Sequence, residues 1–259
     1  MEKKNKILTK PWKYIVISGL LLILAGCSGD FSPIDESTSG FFNRLIVFPF
    51  SQLIKGLATI LGGSYGVSII MITLILRLMM SPFLYNQQKQ SKQSQKVMKV
   101  MKPEMDALQE KYRDKKDSES QASMQKEMMD LYQKHDFNPG KMLLGCLPML
   151  LQMPILIGFY YAIRRTPEIA EQSFLWFNLG EVNIVMAIIA IIVYYAQAKV
   201  SMIGLDESQS QGPMKLILYI SPIMIGVISF VVPAALPLYW AVSGLFMVIQ
   251  TFIFKKVIQ

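Results

Sequence analysis

The stretch that decides the fold is Val67-Ser-Ile-Ile-Met-Ile-Thr-Leu-Ile-Leu-Arg77-Leu-Met-Met-Ser-Pro-Phe-Leu84, an apolar run with one arginine in its interior. A run of this length is a candidate for a helix that crosses a bilayer. An arginine side chain keeps its proton in proteins, and placing one at the centre of a membrane helix costs roughly 3 kcal/mol on insertion scales. We therefore expect a membrane-spanning helix in which Arg77 has a functional role.

The rest of the chain is also apolar enough for an integral membrane protein, with 52% hydrophobic residues in a length of 259. Four further apolar segments follow the first, and the last two are separated by the prolines of a tight turn. The five predicted spans are about Ser64–Leu84, Lys141–Ile163, Val182–Ile203, Leu216–Val232 and Ala234–Phe254. None of them contains Asp or Glu. The pattern predicts an all-α integral membrane protein with five transmembrane helices.

The N-terminus has the organisation of a secretory signal. Residues 1–26 begin with a lysine-rich region and continue through the apolar stretch Tyr14–Leu24. Leu24-Ala-Gly-Cys27 then resembles a bacterial lipobox, in which the cysteine is acylated and becomes the mature N-terminus. We expect a lipoprotein signal peptide at 1–26 and a lipid on Cys27. The alternative is an uncleaved first transmembrane helix.

Residues 27–63 form the next predicted region, an extracellular linker followed by an amphipathic segment. Phe41–Leu57 is apolar and aromatic but is interrupted by Arg44, Pro49 and Lys55, so it is unsuited to span the membrane. We expect it to lie at the outer interface. The five-helix core then occupies residues 64–259.

Topology follows from the lipidated N-terminus and from the distribution of lysines. With Cys27 outside, five spans place the C-terminus in the cytoplasm, and the lysine-rich segment 85–139 with it, as the positive-inside rule requires. The adjacent Arg164 and Arg165 fall on the outer side, with Glu168 and Glu171 close by in the sequence, and we expect them to be interface anchors.

The segment 85–139 is predicted to be a two-helix cytoplasmic hairpin inserted between the first and second spans. Apolar residues recur at spacings of three and four on both sides of a polar turn. They are Met98, Met101, Met105, Leu108 and Tyr112, then Met124, Met128, Leu131 and, at the end of the stripe, His135. Pro103 should kink or restart the first helix. The methionines either hold the two helices together or form an adaptable surface for docking proteins.

Several kinds of chemistry are excluded. His135 is the single histidine of the chain, so a metalloprotease motif with two histidines is impossible. No Walker A loop and no serine nucleophile elbow is present, and the absence of acidic residues from the spans disfavours a proton-relay transporter. We expect no enzyme, no cofactor and no metal. Part of the formal net charge of +8 lies in the signal region, and the charge reflects topology rather than nucleic-acid recognition.

Polar side chains recur in the predicted spans. Thr73, Arg77 and Ser81 are four residues apart and share a helix face. The other predicted spans contribute amides, hydroxyls and an indole, which need partners or water inside a bilayer. They include Gln152, Tyr194, Gln197, Trp240, Ser243 and Gln250. We expect a shared wet cavity around Arg77. The alternatives are that Arg77 snorkels to the cytoplasmic interface, that Gln152 and Gln197 join helices, and that Trp240 belongs to an interfacial belt.

Four motifs resemble those of the YidC/Oxa membrane-protein insertases. Gly145-Cys-Leu-Pro-Met-Leu-Leu-Gln-Met-Pro-Ile155, followed by Tyr160-Tyr161, is similar to the family's second-span signature. Arg77 with Pro82 five residues later resembles its first-span arginine motif. The remaining matches are Asn138-Pro139 and Pro233-Ala-Ala-Leu-Pro-Leu-Tyr-Trp240. The lipobox resembles the Gram-positive form of the family.

The resemblance implies five spans that form a hydrophilic groove, open to the cytoplasm and to lipid, with a helical hairpin beneath it. The resemblance carries over Arg77, Gln197 and Trp240 as groove residues. Together with the polar pattern described above, the expected groove residues are Arg77, Thr73, Gln152, Gln197, Trp240, Tyr194 and Ser243. The implied partners are newly made small membrane proteins with acidic N-tails, membrane lipids, and the Sec translocon and the ribosome. The implied location is the bacterial plasma membrane. Two other functions stay open at this point: a polar-groove transporter or channel for a small anion, and a chaperone that assembles helices without inserting them.

Overall fold

The computed structural model describes residues 32–35, 38–115, 117–138, 147–203 and 213–258. The predicted signal peptide and the lipidation site Cys27 lie outside these residues. The described elements are a π-helical turn Asn43–Val47, then α1 (Phe48–Ile60), α2 (Tyr65–Tyr112), α3 (Ser118–Lys134), α4 (Leu147–Arg164), α5 (Pro167–Ala170), β1 (Ser173–Phe174), β2 (Phe177–Asn178), α6 (Ile184–Met202), α7 (Pro213–Ser229) and α8 (Ala235–Ile258). The described part of the chain is helical, apart from one short antiparallel pair between β1 and β2.

The sequence predicted five membrane-crossing helices from five apolar segments. Among the described residues, three helices are long and apolar enough to cross a bilayer: α2, α6 and α8. The helices α4 and α7 occupy the predicted second and fourth spans. The helical class is confirmed, and the number of five spans stays a prediction.

The chain divides into two compact units. One contains the residues up to Leu74 and Met153–Val248, and the other contains Ile75–Gln152 and Ile249–Gln259. In the first unit, an aromatic series holds three elements together. The rings of Phe50 in α1 and Phe159 in α4 lie 5.0 Å apart, and Phe159 stacks on Tyr239 of α8 at 5.1 Å. The buried face of α1 contains Ser51, Ile54 and Ala58, and the predicted position of this segment at the outer interface stays a prediction.

The connection between α4 and α6 fixes the start of α2 in the same unit. The Gln172 side chain accepts a hydrogen bond from the Tyr65 N–H at 2.7 Å and donates one to the Gly63 carbonyl at 2.7 Å. The ring of Phe174 lies against Gly66, where an added Cβ would be only 2.1 Å from Phe174 Cγ. The first N–H groups of a helix lack partners within it, so Gln172 satisfies one of them.

The second unit contains the predicted hairpin. Met101, Leu131 and Phe137 form its buried core. The residues Val97, Met98, Met105, Met128 and Tyr132 pack around that core. The α3 helix begins at an Asp117 cap, which accepts a hydrogen bond from the Ser120 N–H at 2.8 Å. The methionine seam predicted from three-and-four spacing therefore joins the two helices.

The structure bears on two further expectations, at Pro103 and at Arg165. The first helix of the hairpin does not restart at Pro103, because α2 runs from Tyr65 to Tyr112 with Pro82 and Pro103 inside it. A kink at Pro103 stays a prediction. Arg165 is buried, with only 2% of its surface exposed, and its predicted role as an interface anchor stays a prediction. Its Nε donates to the Ser32 carbonyl at 2.7 Å and its Nη1 donates to Asn43 Oδ1 at 2.9 Å. Arg165 therefore fastens the segment before α1.

Candidate membrane site around Arg77

Arg77 is buried although it lies in the most apolar part of α2. Only 8% of its surface is exposed. One turn earlier on the same helix face, Thr73 is fully buried, and its hydroxyl donates to the Ile69 carbonyl at 2.6 Å. That bond satisfies the threonine hydroxyl inside its own helix. A buried, permanently charged group in an apolar helix is the feature that the sequence singled out, and the structure confirms its burial.

A second polar contact lies in the same unit as Arg77. The Gln250 amide in α8 donates a hydrogen bond to the Ser81 hydroxyl, one turn after Arg77 in α2. Nearby in this unit, the Tyr85 and Phe254 rings pack edge to face, with centroids 5.2 Å apart. The pair therefore joins α2 and α8 through a polar contact with an apolar one beside it. Gln250 was among the polar residues noted in the last predicted span, but its pairing with Ser81 has no signature in the sequence.

Three of the predicted groove residues in the other compact unit, Tyr194, Trp240 and Ser243, lie on helices that touch. Gly244 in α8 faces Tyr194 in α6, since an added Cβ at Gly244 would be 3.3 Å from the Tyr194 ring. Ser243, next to Gly244, is fully buried, and Trp240 is 4% exposed. The structure thus brings Tyr194 near the α8 segment that carries Trp240 and Ser243.

The two predicted glutamines are more exposed than Trp240 and Ser243. Gln152 in α4 and Gln197 in α6 are each half-buried. Gln152 belongs to the unit that contains Arg77, whereas Gln197 belongs to the unit that contains Tyr194. The groove that would unite these residues stays a prediction.

Among the described residues, no group of three His, Cys, Asp or Glu side chains could hold a metal ion. Resolved charge pairs lie at the ends of the spans and in the hairpin. Lys55 in α1 donates to Glu168 Oε1 at 2.8 Å, and this bond holds the pKa of Glu168 below its usual range. This pair and the buried Arg165 were missed, because partners more than a hundred residues apart leave no periodic pattern.

Comparison with known proteins places the chain in a family. The family model described as "60Kd inner membrane protein" matches residues 56–259. The membrane protein insertase YidC 2 of Listeria monocytogenes serotype 4b (strain F2365) is 48% identical over 256 residues, which cover 99% of this chain and 89% of that protein. The membrane protein insertase MisCB of Bacillus subtilis (strain 168) is 43% identical over 260 residues, which cover 95% and 93%. The chain belongs to the YidC/Oxa family of membrane protein insertases.

The fold agrees with that membership. A solved structure described as an active YidC insertase with the first transmembrane domain resolved superposes with a TM-score of 0.57 at 22% identity. The match covers 93% of this chain and 51% of the solved one, so the chain spans about half the length of that structure. As a YidC/Oxa member, the protein is a multi-pass bacterial membrane protein of an insertase family and is not an enzyme.

Proposed function

We propose that this chain inserts newly made membrane proteins into the bacterial plasma membrane and helps them to fold, through a hydrophilic groove that contains Arg77. The observation that carries the proposal is the burial of Arg77, 8% exposed, in an apolar helix of an insertase-family protein. A guanidinium at this depth is a strong centre of positive potential, because the low dielectric screens it little. No nucleotide is required.

The proposed groove combines Arg77 with Thr73, Gln152, Tyr194, Gln197, Trp240 and Ser243. Each provides a hydroxyl, an amide or an indole that can bind water or client backbone. Such groups lower the cost of bringing a polar segment part of the way across the bilayer, because peptide groups without partners are expensive in hydrocarbon. The groove therefore thins the barrier locally without forming a pore.

In the proposed mechanism, a short hydrophilic N-terminal segment of a client enters from the cytoplasm. Arg77 attracts its acidic residues, and the apolar segment behind them then moves into lipid. Burial of roughly 20 apolar residues and the action of the membrane potential on translocated negative charge drive this step. Clients are therefore expected to be small proteins with one or two spans.

The proposed topology places the N-terminus outside and the hairpin and C-terminus in the cytoplasm. Acylation of Cys27 after removal of residues 1–26 would hold the N-terminus at the outer leaflet. The lysine-rich hairpin supports this orientation through the positive-inside rule. The Sec translocon, the ribosome and membrane lipids are the further partners that we propose.

The test is insertion of a single-span client with an acidic N-tail into liposomes that contain only this protein, scored by protection of the tail from protease. A second client carries Asn and Gln in place of the acidic residues. We expect Arg77→Ala to lower insertion of the acidic client roughly tenfold, about 1.4 kcal/mol, and to affect the neutral client much less. Arg77→Lys should retain partial activity, because it keeps the charge without the guanidinium geometry.

The matched control is Arg164→Gln, which removes an exposed arginine at the end of α4. It should insert both clients as the wild type does. Equal insertion of the acidic client by the wild type and by Arg77→Ala would contradict the role of Arg77 as a charge that attracts the client. Flux of a small anion through client-free vesicles, without client insertion, would instead support a transporter. Clients that insert without the protein but assemble only with it would support an assembly chaperone.

A further inference from the structure

The C-terminal end of α6 and the beginning of α7 bring one lysine and two tyrosines together. The Lys199 ammonium lies 5.5 Å from the Tyr195 ring centroid and 5.9 Å from the Tyr219 ring centroid. The two rings are themselves 6.1 Å apart. Lys199 is exposed and Tyr195 is 48% exposed. The three side chains therefore form an open cluster on the surface of the α6–α7 pair.

This cluster lies at the end of two apolar stripes. On α6, Ile188 and Ile192 are 46% and 61% exposed, and they precede Tyr195 and Lys199 on one helix face. Large apolar side chains that are exposed along a membrane-crossing helix face lipid acyl chains. The α6 stripe thus leads from the acyl-chain region to a cation and a phenol.

The stripe on α7 has the same organisation. Tyr219, Ile223 and Val227 are four residues apart, and Ile223 and Val227 are 66% and 65% exposed. The Lys199 ammonium lies 5.9 Å from the Tyr219 ring centroid, so the polar ends of the two stripes meet at one level. In the proposed spans Val182–Ile203 and Leu216–Val232, Lys199 and Tyr219 are each within four residues of a span end, so we place this level in the headgroup region, where tyrosine is enriched.

The chemistry of the cluster fits a phosphate group. A lysine ammonium has three donors, and each tyrosine hydroxyl can donate another hydrogen bond. Neither α6 nor α7 contains Asp or Glu that would compete for the ammonium. The helix dipole by itself explains a cation in the last turn of a helix. It does not account for two tyrosines, from separate helices, around that cation.

We propose that Lys199, Tyr195 and Tyr219 form a binding site for the phosphate of an anionic phospholipid, whose acyl chains lie along the exposed stripes of α6 and α7. The site goes beyond the proposed insertion activity and does not include the groove residues. In the proposed topology it lies in the cytoplasmic leaflet. A zwitterionic lipid offers the same phosphate, but its own ammonium offsets the attraction, so the site prefers lipids with net negative charge.

The experiment measures lipids retained by the full-length protein in detergent by native mass spectrometry. Phosphatidylglycerol and phosphatidylcholine with identical acyl chains are supplied at equal concentration, with and without millimolar inorganic phosphate. We expect the wild type to retain phosphatidylglycerol preferentially, and Lys199→Gln to lower its bound fraction about fivefold. Inorganic phosphate should not displace the lipid, because it lacks the acyl chains.

Three further variants separate this site from general surface charge. Lys199→Arg should retain the preference, because it keeps the charge. Tyr195→Phe combined with Tyr219→Phe keeps the rings and removes the hydroxyls, and it should cause a smaller loss than Lys199→Gln. Lys256→Gln removes a lysine at the end of another helix, α8, and should leave retention unchanged.

Several results would overturn the proposal. One is unchanged lipid retention by Lys199→Gln. Another is an equal loss in Lys256→Gln, which would indicate attraction by surface charge without a specific site. Displacement of the lipid by inorganic phosphate would show a free-anion site instead.

Discussion

The side-chain amide of Gln250 in α8 donates a hydrogen bond to the hydroxyl of Ser81 in α2, across 169 residues of sequence. Gln250 is only 7% exposed, so its amide depends on this partner in place of water. Ser81 follows Arg77 by one helical turn, and the bond therefore stabilises the segment of α2 that holds the buried charge.

We expect Gln250→Leu and Ser81→Ala each to lower the free energy of unfolding by roughly 0.5–1.5 kcal/mol, because each change removes an interhelical hydrogen bond. The loss of stability in Ser81→Ala should exceed the contribution of the hydroxyl itself, because the change leaves the Gln250 amide buried without that acceptor. The measurement is thermal unfolding in detergent for the two single variants and the double variant. Additive losses in this double-mutant cycle would show that the two side chains do not interact.

The start of α2 provides a second prediction. Gly66→Ala should destabilise the protein by roughly 1–3 kcal/mol, because the new methyl group would overlap the Phe174 ring. Phe174→Ala in the same chain should restore part of the loss by making room. Gly56→Ala in α1 is the matched control, since nothing lies within 4 Å of its added methyl group. That control should be neutral or slightly stabilising, as alanine favours helices over glycine.

Stability of these variants can be followed by the same thermal unfolding. A Gly66→Ala protein as stable as the Gly56→Ala protein would contradict the close packing of Phe174 on α2.

The helices were predictable from sequence because a bilayer forces each crossing segment to satisfy its own backbone. The third predicted span, Val182–Ile203, differs from α6 by two residues at its start and one at its end. The hairpin seam was also predictable, since Met101 and Leu131 follow helical spacing on both sides of a polar turn. In both cases the decisive information is periodic and local.

What could not be predicted depends on single contacts between distant residues. The capping of α2 by Gln172 and the burial of Arg165 join segments more than a hundred residues apart, and neither follows a repeat. Pro103 was expected from its local effect to kink or restart a helix, yet α2 continues through it without a restart. Tertiary packing of the hairpin core at Met101, two residues earlier, supports the helix there.

Arg165 provides a third prediction, on the tether of the N-terminal segment. Arg165→Met should lower the free energy of unfolding by roughly 2–3 kcal/mol, because it removes charge-assisted hydrogen bonds to Ser32 and Asn43. Arg165→Lys should not restore the stability. All donors of an ammonium sit on one nitrogen, whereas Ser32 and Asn43 accept from two different nitrogens of the guanidinium. Limited proteolysis should then cleave the chain before α1 faster than in the wild type.

The neighbouring Arg164→Gln is the control for this experiment, as Arg164 is exposed. If Arg165→Met and Arg164→Gln were cleaved before α1 at equal rates, Arg165 would not be the residue that holds this segment.

The hairpin provides the last prediction, on pH. Glu104 in α2 accepts hydrogen bonds from Lys134 at 2.6 Å and lies 2.9 Å from His135 Nε2, and these contacts lower the pKa of its carboxyl. A carboxyl with a lowered folded-state pKa contributes stability that is present above its unfolded pKa, near 4.5, and is lost as the pH falls through the folded value. Glu127 follows the same rule, because Lys111 and Tyr112 lower its pKa as well.

Hydrogen exchange of the hairpin amides, corrected for the intrinsic effect of pH, should therefore accelerate below about pH 4.5. The hairpin amides of Glu104→Gln should already exchange faster at neutral pH and should show a smaller acceleration in acid. Identical pH profiles for Glu104→Gln and the wild type would mean that the Glu104 contacts do not support the hairpin.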